Sequence, residues 1–415
     1  MSLGSLLLIS SGALLAPVPR VPRPMARRSA RALTKMAGTF EIELFSPAKV
    51  NIFLRILGKT DDGFHESASL SQSITVGDQL QLARIPATRD TFAGVVRPSR
   101  TTEPIKQHVE LSVSPTGIAD LPTDQTNTVV RAIEVFRTRL AERDGGSLDV
   151  PRFRAHLTKT LPIDAGLGGA ASNAATALYG ANLLCGEPAS RAELIAWAHE
   201  SLGADVAAYL VGTGVAYCSG KGVFLRAERA EPRAALGAQP PRGALFVLAP
   251  VGGALALSTP AIFRKLAADG YRGLATAVPA ELLDACAGAA SFDALLRAAA
   301  SGSDADGDHA VGAAPALGVN DLSAPALETS DALAALRAQL LATDGIAAVS
   351  LSGAGPALCA LRAVGGGGEE EEAEDADAFA ARLERECHRA CGVRVRAWPV
   401  GFATPREDGW YERPS

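Results

Sequence analysis

The segment running from Lys159 through Pro162, Asp164, Gly166, Leu167, Gly168 and Gly169 to Ser172 and Asn173 constrains the fold more than any other. A strand-like run, Phe153 to Leu161, stops at Pro162, a glycine loop follows, and an Ala-rich helix begins at once over Ser172 to Leu184. Glycines let a backbone approach an anion and aim successive N–H groups at it, and a helix start adds the positive end of its dipole. A chain with this text must gather a strand end and a helix start around one concave loop, a ready phosphate site. Two common readings of such a loop do not hold well. A Walker A loop requires Gly-Lys-Ser/Thr at its end, which is missing. The dinucleotide pattern G-x-G-x-x-A is met by Gly166 to Ala171, but Pro162 interrupts the approach and Glu187 lies in a turn, not at a strand end. A glycine loop that only packs a helix on a strand is the plain alternative.

The surrounding text mixes strands and helices without a strict βαβ rhythm. Strand-like runs occupy Phe40–Phe45, Lys49–Leu57, Asp78–Ile85 after a turn at Gly77, and His108–Val113. Helical spacing marks Asn127–Glu142, closed by Gly145 and Gly146, and Arg191–Leu202. Ala216–Leu225 reads as a hairpin turning at Gly220, and Ala244–Ala249 opens a second strand–helix series. The expectation is α+β, with two domains, because 415 residues exceed what one core fills. The boundary is expected within Gly222–Arg242, giving residues 40–228 and 229–405. Pro86–Gln107, Ala298–Ala314 and the acidic, low-complexity Gly365–Ala378 read as solvated insertions.

Charge sorts the chain further. The formal charge is -5, yet no Asp or Glu precedes Glu41, and Arg20, Arg23, Arg27, Arg28, Arg31 and Lys35 give the first 39 residues +6. That Ser/Ala-rich, acid-free stretch has the composition of a plastid or other organelle transit peptide, expected to be disordered. Its apolar run is too short to span a membrane, though a signal sequence ahead of it stays open. The rest holds 34 basic against 45 acidic residues, which argues against a nucleic-acid binder. Six cysteines with no CxxC pair argue against a disulfide framework or structural zinc. No nucleic-acid or membrane partner is expected, and the oligomeric expectation is a monomer or weak homodimer.

Six further segments accompany the glycine loop. Ser46-Pro-Ala-Lys49-Val-Asn51-Ile-Phe-Leu54 is followed by Asp61-Asp-Gly-Phe64-His65-Glu66. Leu202-Gly-Ala-Asp205-Val206 and Gly214 to Gly220 come after the loop. Val319-Asn320-Asp321-Leu322 and Leu351-Ser-Gly-Ala-Gly-Pro356 come near the end. In that order these motifs resemble the galactokinase–homoserine kinase–mevalonate kinase–phosphomevalonate kinase (GHMP) superfamily, and within it the 4-diphosphocytidyl-2-C-methylerythritol kinases of plant type. The likeness runs from about Phe45 to Leu361 and implies a two-domain GHMP-kinase fold with its site in the cleft between domains.

What the resemblance implies residue by residue is specific. Asp205 matches the general base and Lys49 the cation beside it, which lowers the pKa of Asp205 and stabilises developing charge. Pro162, Gly166, Leu167, Gly168, Gly169, Ser172 and Asn173 match the ATP-phosphate loop. Ser172 reaches a phosphate or Mg2+, or simply caps the helix, so the metal ligands stay open. Asn51, Phe64, His65, Thr259 and Phe263 match substrate-binding positions, with Phe64, His65 and Phe263 around a cytosine. The implied cofactors are ATP and Mg2+. The implied activity is phosphorylation of the substrate's C2 hydroxyl in the non-mevalonate isoprenoid precursor pathway, in a plastid. Alternatives are another GHMP kinase, of homoserine or mevalonate type, and a non-catalytic nucleotide-binding relative.

The sequence departs from the family at Ala170 and Ala171, where Gly and Ser are usual, at Ala207 for Pro, at Val223 for Glu, and at Ala357 for Ser/Thr. Asp164, in the loop itself, is expected to face solvent.

Overall fold

The structure is a computed structural model describing residues 40–59, 65–85, 108–114, 121–145, 150–219, 222–224, 239–252, 255, 257–270, 285–286, 289, 291–300, 319–363, 374–406 and 409–413. The leader (1–39), the expected domain boundary, the Pro86–Gln107 insertion and Phe64 lie outside the described residues, as does most of the other two insertions.

The first element is not two strands but one. β1 (Ile42–Lys59) runs through Pro47, which sits beside a register shift. It pairs antiparallel with β2 (His65–Ile85), a strand that begins well before the expected Asp78. Gly77 is not a turn. It lies within β2 opposite Pro47, where a Cβ would stand 2.2 Å from the carbonyl oxygen of Ser46. The close approach of two backbones, and not a change of direction, requires glycine there.

β3 (Val109–Ser114) pairs parallel with β4 (Arg152–Thr158), and β4 pairs with β2. β5 (Val215–Ser219) and β6 (Gly222–Phe224) form the expected hairpin and complete this sheet in the order β3-β4-β2-β5-β6, with β1 on β2. Four helices belong with this sheet. α1 (Thr128–Arg143) is capped by Asn127, whose side chain accepts from the Val129 N–H. α2 (Gly169–Leu184) starts three residues before the expected Ser172, directly from the glycine loop. α3 (Arg191–Ser201) opens on a Ser190/Glu193 capping box, and α4 (Ala204–Leu210) is a single short helix. Leu80, Leu82 and Phe153 from the strands pack with Ile133, Phe136 and Leu178 from the helices in one core.

A second sheet, wholly antiparallel, is built of β7 (Leu245–Pro250), β8 (Ile346–Leu351), β9 (Leu358–Arg362) and β10 (Val395–Val400), in the order β10-β7-β9-β8. Alternation along β7 sends Leu245, Val247 and Ala249 toward Ile52, Phe53 and Ile74 of the first sheet. Phe246 and Leu248 face the helices α5 (Thr259–Ala268), α7 (Ser323–Thr329), α8 (Asp331–Ala342) and α9 (Ala376–Cys391). Between α5 and α7 lies α6 (Phe292–Ala300), so the expected insertion at Ala298 begins inside a helix. The acidic insertion likewise ends as structure: Asp375 caps α9 by accepting from Asp377 and Ala378 N–H, where the helix dipole favours carboxylates. Both sheets and both helix sets lie in one unit, 40–415. The segment 402–411 returns to the first core, placing Ala403, Trp410 and Tyr411 there.

Candidate active site

The glycine loop is held at three places. At its start, Asp78 of β2 is fully buried, pairs with Lys159 at 2.5 Å and accepts from the N–H groups of Thr160 (2.7 Å) and Leu161 (2.9 Å). In its middle, the carbonyl of Leu167 accepts from the Lys49 N–H at 2.9 Å, just past the β1 register shift. Leu167 itself is buried, so its part in the loop is played by backbone. On the far side the 351–356 turn sits on the loop. The Ser352 hydroxyl donates to the Gly166 carbonyl (3.1 Å) and the Ala357 N–H to Ala165 (3.0 Å). The Ala357 contact is made by backbone, so the departure at that position leaves it intact.

Gly166 and Gly168 both have left-handed backbones, at φ 76° and 69°. A Cβ on Gly166 would meet the Ser352 carbonyl oxygen at 2.2 Å. A Cβ on Gly168 would meet the Tyr209 hydroxyl at 2.6 Å and the Lys49 stem at 2.9 Å. The loop therefore fits an anion: bare backbone leads into a sixteen-residue helix with no acidic residue in its first turn. Asp164 is exposed, as expected. Pro162 is partly buried beside it.

Ser172 and Asn173 lie near the start of α2. Both are buried on the inner side of α2, where the Ser46 hydroxyl shares a hydrogen bond with Ser172 (3.0 Å), donates to Asn173 (2.8 Å) and meets Thr176 (2.9 Å). This cluster locks β1 to α2 beneath the loop. The cap position of α2 is Gly168, so Ser172 does not cap the helix. Among the described residues no cluster of three or more His, Cys, Asp or Glu forms that could hold a metal ion.

Lys49, Gly168 and Asp205 line one small cavity together with Ser71, Ser73 and Tyr209. Lys49 donates from Nζ to Asn51 Oδ1 at 2.5 Å, and that oxygen also accepts from the Gly353 N–H at 3.1 Å. Asn51 in turn donates to Ser71 (3.2 Å), so one amide links the lysine, β2 and the 351–356 turn. Asn320, which the sequence motifs contained without a role, donates to the carbonyls of Leu351 and Gly353 and holds that turn from behind. Burial pushes the Lys49 ammonium below its usual pKa, and the Asp205 charge opposes that shift. Asp205 lies exposed at the mouth, in the first turn of α4, with Gly203 at the cap position. The usual proline after it is Ala207, which is buried inside a formed helix, so the departure leaves α4 intact. Cys218 and Cys359 flank the lysine, and burial pushes each thiol up to about 12, which keeps both protonated.

The aromatic positions meet at another point of the site. His65, opening β2, and Phe263 of α5 have ring centroids 4.4 Å apart with planes tilted by 38°. A flat ring between them needs about 3.4 Å on each face, the spacing of stacked bases, so the pair is closed upon itself. Thr259 is the exposed first residue of α5, about one turn before Phe263.

Comparison with known proteins follows from this geometry. Residues 127–213 match the family "GHMP kinases N terminal domain". A 4-diphosphocytidyl-2-C-methyl-D-erythritol kinase of Protochlamydia amoebophila (strain UWE25) is 40% identical over 183 residues, 44% of this chain and 52% of that protein. The chloroplastic enzyme of that name from Oryza sativa subsp. japonica is 37% identical over 186 residues, 45% of this chain and 39% of the relative. That of Arabidopsis thaliana is 35% identical over 192 residues, 46% and 42%. The chain thus spans about half the length, or less, of the curated relatives it matches. A crystal structure of 4-(cytidine 5'-diphospho)-2C-methyl-D-erythritol kinase superposes with a TM-score of 0.53 at 24% identity, covering 87% of this chain and 98% of the other. The chain therefore has the fold of that kinase structure, its residues 127–213 match the GHMP kinase N-terminal domain, and the relatives that it matches over 44–46% of its length are named 4-diphosphocytidyl-2-C-methyl-D-erythritol kinases.

Proposed function

We propose that the protein phosphorylates the C2 hydroxyl of 4-diphosphocytidyl-2-C-methyl-D-erythritol with ATP and Mg2+, a step in making isoprenoid precursors. The observation that carries the reading is the single cavity shared by Lys49, Gly168 and Asp205. Transfer of a phosphoryl group to an alcohol requires an anion cradle, a cation near the developing charge and a base for the hydroxyl proton. Those three groups supply one each. The names of its relatives support the cytidyl substrate as acceptor.

ATP supplies the phosphoryl group, and Mg2+ when bound neutralises its charge. The chain's part is positional and electrostatic. The loop from Ala165 to Gly169 holds the phosphates by backbone N–H groups at the start of α2. Lys49 keeps its ammonium in a desolvated setting, where its field on a phosphoryl oxygen is stronger than in water. Asn51 fixes where that ammonium points. Asp205, solvent-facing, takes the hydroxyl proton. His65 and Phe263 part to admit the cytosine, with Phe64 and Thr259 assigned beside them by family position. With Ser172 and Asn173 bound to Ser46, their part is to brace the loop from beneath.

We also place the protein in a plastid. The +6, acid-free stretch before Glu41 supports this, as do the chloroplastic names of the rice and Arabidopsis relatives. The test of function is ADP release by the purified full chain offered the cytidyl substrate, mevalonate and homoserine in turn. Turnover with the first alone is expected. Turnover with another in its place moves the protein to a different GHMP activity, and turnover with none leaves a nucleotide-binding relative.

A further inference from the structure

Tyr209 stands one turn after Asp205 in α4, and only 5% of it is exposed. Its hydroxyl is buried and has no hydrogen-bond partner among the described residues. Buried hydroxyls are nearly always paired, because desolvation without a replacement bond costs free energy. Burial and the nearby Asp205 charge hold the phenol well above its ordinary pKa, so it keeps its proton and can donate.

Where the hydroxyl lies gives its partner a chemistry. It faces the bare Cα of Gly168, where a Cβ would come within 2.6 Å of it and within 2.9 Å of the Lys49 stem. The adjoining cavity, bounded by Lys49, Gly168, Asp205, Tyr209 and the serines Ser71 and Ser73, measures about 20 Å³. That is room for one oxygen-sized atom and little more. A neutral donor and a cation converge on it beside a loop that favours anions. Such a setting suits an oxygen that only accepts.

We propose that the Tyr209 hydroxyl donates a hydrogen bond to an oxygen of the phosphoryl group being transferred, seated between Gly168 and Lys49. The assignment rests on the kinase reading. During transfer the three equatorial oxygens carry the charge, and a donor already fixed in place needs no reorganisation as it develops. Tyr209 thereby joins Lys49 on the phosphoryl group, while Asp205 serves the acceptor hydroxyl.

The test is Tyr209→Phe, which keeps the ring and removes the O–H. Calorimetric titration with Mg2+ present compares ADP with the β,γ-imido analogue of ATP, alongside kcat and the melting temperature. Binding of the analogue should weaken about tenfold with ADP affinity unchanged within about twofold, and kcat should fall by about tenfold or more. The melting temperature should hold or rise, because an unpaired buried hydroxyl has been removed. Unchanged analogue binding overturns the proposal and leaves the hydroxyl to a buried water or the acceptor. Equal weakening of both nucleotides, or a lower melting temperature, also overturns it by showing a structural role. If the unsubstituted protein binds neither nucleotide, the kinase reading itself falls, which is a different result from normal binding that survives Tyr209→Phe.

Discussion

His65 and Phe263, from a strand of the first sheet and a helix of the second, touch ring to ring with centroids 4.4 Å apart. In the proposed function this is where the base stacks, and the imidazole there is partly buried. Burial is the larger cause, and the Lys59 charge the smaller, of a His65 pKa below its usual value.

This contact has a titration signature. A depressed pKa means the neutral ring is favoured on folding, so its contribution to stability is present above the ordinary value of about 6.5 and lost as pH falls through the lowered one. NMR titration should place His65 below that value, and Phe263→Ala should move it back up. An imidazole titrating identically in both proteins contradicts the contact. Phe263→Ala should also raise KM for the cytidyl substrate, since a lost stacking face is worth about 1–3 kcal/mol.

Lys49 sets function against stability. Burial disfavours its charge, and the Asp205 charge offsets only part of that, so Lys49→Met should leave the melting temperature equal or higher while removing turnover. A variant that both melts earlier and retains activity contradicts the role.

The interlock of the two glycine turns predicts a sharp local cost. Gly166→Ala places a methyl group 2.2 Å from the Ser352 carbonyl oxygen on a left-handed backbone, and should destabilise by about 1–3 kcal/mol. Ser352→Ala removes one hydrogen bond without a clash and should cost about 1 kcal/mol. Denaturant unfolding of both variants checks the order.

The chain's return to the first core at Trp410 gives another measurable effect. Trp410 is fully buried, stacks on Tyr179 at 4.4 Å and donates from Nε1 to the Phe45 carbonyl at 3.0 Å. Trp410→Ala should cost about 3–5 kcal/mol in denaturant unfolding. A loss below about 1 kcal/mol, within the range of ordinary surface substitutions, means the segment does not brace this core.

The loop from Pro162 to Gly169 was legible because glycine, proline and helix formers each act on their own stretch of backbone. The Lys49 and Asp205 positions were legible through ordered motifs. Other features depend on a partner far away in the chain. Gly77 looked like a turn because nothing nearby shows that Ser46 crowds it. The bond between Ser172 and Ser46 was not legible, because Ser46 lies far away in the chain, on β1. The early half of β2 does carry a signal, since Ser67, Ser69, Ser71 and Ser73 alternate with other residues, and two of these serines line the cavity. Tyr209 had no local sign at all: a tyrosine in a short helix is ordinarily core, and only the missing partner of its hydroxyl distinguishes it.

In the proposed reaction Asp205 acts as the base for phosphoryl transfer to the C2 hydroxyl, at a cavity it shares with Lys49 and Gly168. Phosphorus NMR of the product formed by the full chain from ATP and the cytidyl substrate, followed in time for the unsubstituted protein and for Asp205→Asn, tests it most directly. A new phosphomonoester at C2, formed about 10²–10⁴-fold more slowly by the variant, is the predicted result. Phosphate at another oxygen, or an Asp205→Asn protein that keeps pace with the unsubstituted one, contradicts it.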